Sequence, residues 1–379
     1  MPHRSRLRRT AIAAVSTAAS TALIGTLGIA AAPAASAAPI DVTGAVLTWS
    51  GSRLLQSAAP IPGQCHYFSA GLSDPGDLAD SYAATAGNVS IRKAAAAATY
   101  ATRCDGATTA AGVDQQVVVT GGTGTTDPAT GAGTIQWTGT WSVNMYGGLA
   151  PFSITNPKLT VAADGSSTVT ATLDGYAGSM GSSGPATPVA AVPNVVVARF
   201  AGLTPVTGFD ATPLYSGVEY NATGSAPQNR TAAGWGSWPA SFVDFQATTG
   251  LASFFYSSGA ASDGTKAPAA VEVDYDLGPV TATAGIKLGT KLRTVPAAKR
   301  LKLKAVVTAA LRGSAFPAEG KVFVYDGTKK IKKGVLDDGK AVVTLPALAP
   351  GRHKLTVVFP GAGGVPAATS TVKSIRVVR

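Results

Sequence analysis

Histidine and cysteine are scarce in this chain: three histidines and two cysteines among 379 residues. Beyond the first few residues only His66 and His353 remain. So few ligands exclude a multi-histidine metal site, and two cysteines cannot build a four-cysteine zinc centre. A Ser-His-Asp triad would have to recruit one of those two histidines, and no Gly-x-Ser-x-Gly elbow stands in a strand–turn–helix setting. Asp274 and Asp276 share one face of an expected strand, and Asp337-Asp338-Gly339 fits a turn. A solvated surface and turn chemistry account for both carboxylate pairs. The chain is therefore expected not to be an enzyme.

Long apolar runs are also missing beyond residue 38, where nothing approaches the ~20 residues that cross a bilayer. No transmembrane segment is expected in the mature chain. The run that does exist lies at the start. Arg4, Arg6, Arg8 and Arg9 precede an Ala-rich apolar stretch that ends in Ala35-Ser36-Ala37. A basic region, an apolar region and a small-residue cleavage site make a secretory signal over residues 1–37. The Arg8-Arg9 pair hints at the twin-arginine route, but Thr10-Ala-Ile follows where that route usually has stronger apolar residues. The mature protein is expected to be secreted. Its last residues form an alternating strand pattern without a hydrophobic tail or a sorting signal, so any cell-wall association would be non-covalent.

Acidic and basic residues are unevenly divided. Residues 38–278 carry eight Lys/Arg against sixteen Asp/Glu, whereas residues 279–379 carry nineteen against four. A difference of this size points to two regions with different partners. The basic region is expected to meet an anionic polymer or envelope surface, since net charge governs association rather than fold. An exported chain meets wall polymers before it meets nucleic acid, so no nucleic-acid partner is expected. The plain alternative is that the lysines only keep the region soluble.

The two cysteines, Cys65 and Cys104, read as one disulfide in an exported chain. Closing that loop would stabilise the fold by ~4 kcal/mol on the chain-entropy model. The competing reading makes Cys65 a nucleophile with His66 as its base. Neighbouring residues on a strand point to opposite faces, which disfavours it.

Short alternating runs of Gly, Thr, Ser, Ala and Val, broken every 8 to 12 residues by turn formers, predict an all-β, antiparallel sandwich-like fold. Strands are expected over Val42–Trp49, Gln116–Val119, Thr134–Val143, Thr168–Leu173, Val195–Phe200, Ser241–Phe245 and Val271–Tyr275. Asn156-Pro157 is expected to break the strand that follows the Gly147-Gly148 turn. Ser81–Ala98 contains an alanine run, but Gly87 and Asn88 interrupt it and the helix signal is weak. The regions divide as 38–279 and 280–379.

In the second region Gly320–Gly327, Gly339–Pro346 and Gly351–Gly361 are three strand motifs bounded by turns. They resemble the repeats of bacterial Ig-like domains, which implies a smaller Ig-like β-sandwich acting as a spacer or adhesion unit.

In the first region Gly124-Thr-Thr-Asp127-Pro-Ala-Thr-Gly131 precedes Ile135-x-Trp137-x-Gly139, Tyr146-Gly147-Gly148-Leu149 and Ile154-Thr-Asn156-Pro157. Together with Val46-Leu-Thr-Trp49 and Phe242-x-x-Phe245, this pattern resembles the HtaA domain of actinobacterial haem-transport proteins, over residues 41–276. The resemblance implies a secreted or surface protein that takes up haem, alone or from a haem-carrying protein. In that family a tyrosine shortly after the opening Trp ligates iron, and the histidine of an His-Gly-Gly turn supports it. Here Ser50–Pro60 has no tyrosine, and Tyr146 stands at the histidine position. Tyr146, with His66, Tyr67 or Met145, is the haem-ligating set expected from this chain.

Overall fold

A computed structural model describes residues 39–59, 62–75, 79–94, 96–106, 114–178, 186–203, 208–275, 277–289, 294–297, 299–311, 314–362 and 365–379. The expected export signal over residues 1–37 lies outside the described residues, as does Asp276. The fold is almost entirely β, as the alternating patterns predict. Among the described residues there are twenty-two strands and one α-helix.

Twelve strands make the first sheet. They are β1 (Ile40–Trp49), β2 (Tyr67–Ala70), β3 (Thr85–Ala86), β4 (Val89–Lys93), β5 (Gln115–Thr126), β6 (Gly133–Gln136), β7 (Thr140–Met145), β8 (Ala150–Val161), β9 (Ser167–Ala177), β10 (Thr187–Phe200), β11 (Gly208–Ala211) and β12 (Val271–Asp274). Their order is β10-β9-β8-β6-β5-β1-β12-β11, with β7 joining β2 to β8 and β4 joining β3 to β5. Side chains alternate across the pleat. In β9 this sends Ser167, Val169, Ala171 and Leu173 inward and leaves the threonines between them half-exposed.

The sheet forks. The first half of β5 pairs with β4 and its second half with β6. β8 likewise takes β7 along its first half and β6 along its second. The fork lies at Trp137–Gly139, so the single strand expected over Thr134–Val143 is two. The reason is the indole of Trp137, which is fully buried and donates from Nε1 to the Ala45 carbonyl at 2.9 Å. Gly122 opposite makes room for it: a Cβ there would sit 2.3 Å from Nε1.

Asn156-Pro157, expected to end a strand, does not. β8 runs through it with a register shift between Thr155 and Lys158. Asn156 takes a left-handed φ of 51°, its Oδ1 accepts the Gly139 N–H at 3.0 Å, and its own N–H donates to the Gly139 carbonyl at 2.8 Å. A bulge in one strand thus matches the fork in its neighbour.

One further expectation is corrected, and the weak helix signal of Ser81–Ala98 is resolved. Ser241–Phe245 is not a strand but part of α1 (Ala240–Thr249). Pro239 fixes φ before the first turn, Gly250 closes the helix at φ 82°, and Phe242, Val243, Phe245, Gln246 and Thr249 are buried at helical spacing. The helix lies on β9 and β10, with the Phe242 ring 6.0 Å from Phe152 and 4.9 Å from Phe255. The alanine-rich Ser81–Ala98 is not a helix: β3 and β4 form a hairpin there about Gly87-Asn88.

Residues 278–378 carry two sheets. β13 (Thr281–Leu288), β15 (Lys302–Leu311) and β16 (Ser314–Pro317) lie in that order, with β19 (Lys340–Thr344) pairing the other half of β15 on the same edge as β16. β14 (Thr294–Pro296), β22 (Lys373–Val378), β20 (Gly351–Phe359), β17 (Gly320–Asp326) and β18 (Lys329–Leu336) make the second, with β21 (Ala368–Thr369) on β20. Leu303, Ala305 and Val307 from one sheet and Val322, Val324, Leu355 and Val357 from the other are buried in the core. All three expected strand motifs lie in β17, β19 and β20.

His353 on β20 links this sheet across β17. Its Nδ1 is 2.6 Å from Asp326 Oδ2, its Nε2 is 2.8 Å from the Ala349 carbonyl, and Asp326 Oδ1 accepts the Lys354 N–H at 3.0 Å. Partial burial works against the imidazolium. The hydrogen bonds to Asp326 and Ala349 and the Asp326 charge outweigh it, so the pKa lies above the ordinary 6.5. A raised folded-state pKa stabilises fully below the unfolded value and is lost as pH climbs through the folded one. Unfolding of residues 278–378 should therefore become easier from pH 6 towards pH 8, and His353→Gln should flatten that slope. Denaturant melts of both proteins across this range test it; parallel slopes would refute it.

Cys65 and Cys104 are joined, with Cα atoms 5.5 Å apart and 39 residues between them in sequence number. Replacing both by alanine should lower the unfolding free energy by about 4 kcal/mol, measured by denaturant melts of the oxidised chain. A loss below ~1 kcal/mol would mean the loop is already constrained by its other contacts.

Candidate functional site

The β7–β8 hairpin closes through Tyr146–Gly148, and this turn meets the segment that leads into β2. Tyr146 has φ 54° and Gly147 φ 68°. A bulky residue in the left-handed region costs roughly 1–3 kcal/mol and persists only where its surroundings fix it. Here two contacts fix it. The Gly147 N–H donates to the Cys65 carbonyl at 3.1 Å, so the turn is tied to the disulfide-anchored strand. The left-handed φ of Gly147 favours glycine, and a Cβ there would fall 1.2 Å from Gln64 Oε1, so the Gln64 side chain would have to move aside.

His66 follows Cys65 directly and is only 2 % exposed. Its Nδ1 lies 2.8 Å from the Leu54 carbonyl, which can only accept. Nδ1 therefore carries the proton, and Nε2 presents a lone pair. That Nε2 is buried without a hydrogen-bond partner, as is Gln64 Oε1. Burial is the main reason the His66 pKa falls below 6.5, against a smaller opposing effect of the Leu54 hydrogen bond. The imidazole is thus neutral at physiological pH, in one tautomer.

The Tyr146 ring stands edge-on to the His66 ring, centroids 5.2 Å apart, and edge-on to Phe254 at 5.8 Å. Partial burial raises the pKa of its phenol. A neutral imidazole with a free Nε2 can accept a hydrogen bond or bind a Lewis acid, and the protonated phenol beside it can donate a hydrogen bond to a polar ligand group. His66 and Tyr146 are the residues that would hold such a group.

Tyr67 and Met145 lie elsewhere. Tyr67 faces the other side of β2, where its ring is 6.1 Å from Tyr82 and the Arg103 guanidinium is 5.7 Å away. Arg103 itself sits 3.8 Å over Tyr100. Met145 is fully buried on the core side of β7, in line with Trp141 and Val143. Met145 ends β7 with its side chain in the core, whereas Tyr146 lies in the turn with its ring against His66. The Cys65–His66 nucleophile reading is closed by the disulfide. Asp338-Gly339 is a tight turn between β18 and β19, both residues left-handed at φ 48° and 68°.

Two residues of this region carry no sequence signal. Gln64 is placed by the turn it abuts. Lys266 is 2 % exposed, donating to the Tyr256 carbonyl at 2.9 Å, to Ser258 Oγ at 2.9 Å and to Asp263 Oδ1 at 2.6 Å. The Trp238 indole donates to the Lys266 carbonyl at 2.8 Å. Every one of these partners lies within Trp238–Lys266, so Lys266 locks the segment that carries Phe254 toward Tyr146.

Among curated proteins none matches this chain. The likeness of residues 41–276 to HtaA domains rests on the sequence motifs, and the family comparison does not extend to it. That comparison does reach the second region, in agreement with its three strand motifs and its two sheets: residues 278–378 match the bacterial Ig-like domain (group 3).

Proposed function

We propose that this chain is a secreted, non-enzymatic binding protein of the cell envelope, whose first region takes haem through Tyr146 with His66 and whose Ig-like region holds it at the surface. The observation that carries the haem reading is the partnerless Nε2 of a neutral, tautomer-fixed His66 beside the strained Tyr146. A buried acceptor without a partner costs ~1–3 kcal/mol, so a ligand that fills it gains that much over an already satisfied site. Haem bound there would supply an iron centre. The chain's own part is to present the imidazole lone pair, to supply the phenol and to exclude water with Phe254. Loading would come from free haem or from a haem-carrying protein.

The second reading is a structural or adhesion protein whose first region no longer binds haem. The absence of a tyrosine from Ser50–Pro60 favours it. An absorption titration of the mature chain with haemin separates the two. The haem reading expects a saturable Soret shift, weakened at least about tenfold by Tyr146→Ala and by His66→Ala. Tyr67→Phe and Met145→Leu should leave it unchanged. No shift in the unaltered chain would establish the scaffold reading.

Envelope attachment is checked independently. Retention of the mature chain on wall preparations should fall as salt rises, because a Debye length of ~10 Å at 0.1 M screens exposed charge. Equal retention at low and high salt would remove the electrostatic attachment.

A further inference from the structure

Exposed basic residues stand on most strands of the Ig-like region, and one group of them adjoins a groove. On the outer face of the β13–β15–β19 sheet, Lys287 stands directly opposite Lys304, Lys304 opposite Val342, and Lys302 opposite Thr344. Paired residues of an antiparallel ladder share a face, so Lys287, Lys302 and Lys304 project together, all exposed. β18 passes beside β19, and a groove of about 430 Å³ opens between them. Arg300, Lys332 and Lys333 line it, with the backbone and side chains of 342–347 as its floor.

No carboxylate lines this groove. Of the four acidic residues beyond 278, Asp326 is bound to His353, Asp338 to Lys340, and Glu319 and Asp337 lie at strand ends away from it. Like charges directly opposite each other destabilise a sheet. Lys287 and Lys304 stand on neighbouring strands roughly 4.8 Å apart, and Val342, opposite Lys304, belongs to the groove that Lys332 and Lys333 of the other sheet also line, so positive charge without a facing carboxylate runs from β13 to the groove.

We infer that this groove, with the lysines that adjoin it, binds a linear phosphate-bearing polyanion. The inference deepens the envelope reading above and rests on it only for where such a polymer is met. A guanidinium in the groove suits the paired oxygens of a phosphate, and the lysines act as point charges along the strand. The groove has no aromatic lining, so it offers no platform on which nucleic-acid bases could stack.

The test is calorimetric titration of the mature full chain with inorganic polyphosphate. Two triple variants remove the same charge. Arg300→Ala/Lys332→Ala/Lys333→Ala strips the groove; Arg352→Ala/Lys373→Ala/Arg376→Ala strips exposed cations of β20 and β22. Thermal melts confirm that both remain folded. The groove variant should lose at least about tenfold in affinity and flatten the salt dependence, while the control loses less than about threefold. Equal losses would reduce the effect to net charge and overturn the site. So would no binding by the unaltered chain, or tighter groove-dependent binding of oligo-dT or of anionic vesicles. Groove-dependent polyphosphate binding without retention on wall preparations would uphold the site and fail the envelope reading.

Discussion

Trp137 is the residue around which the large sheet is arranged. An indole of this size cannot lie within a flat sheet and cannot stay exposed on a strand whose neighbours are all paired. It turns inward where β6 ends, and its N–H finds the Ala45 carbonyl. The chain must then leave the ladder for two residues before β7 begins. The partner strand has to absorb that offset or lose its pairing, and Asn156 absorbs it as a left-handed bulge tied to Gly139. Gly122 and Asn156 are both answers to one buried side chain.

From this fork the position of the turn follows. Because β7 starts late and pairs with β8 in a register fixed by the bulge, Met145 falls opposite Ala150 and the chain must reverse at Tyr146–Gly148. The turn arrives where the Cys65 strand passes, and the Gly147 N–H binds the Cys65 carbonyl. The disulfide, the β2–β7 pairing and the Leu54 hydrogen bond to His66 then hold one imidazole in one tautomer against one phenol ring. Removing any single one of them leaves the other two to position His66. The strained Tyr146 turn is held by the Gly147 N–H bond to the Cys65 carbonyl.

Much of the architecture is legible in the sequence because period-two alternation over turn-bounded runs has few other solutions. The disulfide is legible because a chain with two cysteines offers a single internal pairing. The misreadings share one cause: tertiary context overrode a local signal. Phe242-Val-Asp-Phe245 has the composition of a strand, but Pro239, Gly250 and a three-residue aromatic spacing make it a helix packed on β9 and β10. Asn156-Pro157 has the composition of a break, yet the hydrogen bonds to Gly139 carry the ladder through it. At the site, Tyr146 was marked by its turn, whereas the role of Gln64 depends on a contact across 83 positions of sequence with Gly147. Nothing local encodes that. Tyr67 and His66 are neighbours in sequence and are separated by the pleat; parity along β2, once its pairing with β7 is fixed, decides which of them meets the turn.

The Ig-like region shows the same logic with charge in place of volume. A fold selected for stability alone would set a carboxylate opposite Lys304, as Asp326 is set against His353 one sheet away. Instead Lys287 takes that place, and Arg300, Lys332 and Lys333 crowd the adjoining groove. Solvent screening makes each such pair cheap at the surface, which is why the fold tolerates them. The same exposure leaves the whole group open to an extended anion, which can meet several cations at once without being buried and release the counterions they held. Had the lysines served solubility alone, scattering them among the nearby carboxylates would have done as well. The polyanion reading rests on the conjunction of Lys287 and Lys304 on neighbouring strands with a groove lined by Arg300, Lys332 and Lys333 and by no carboxylate.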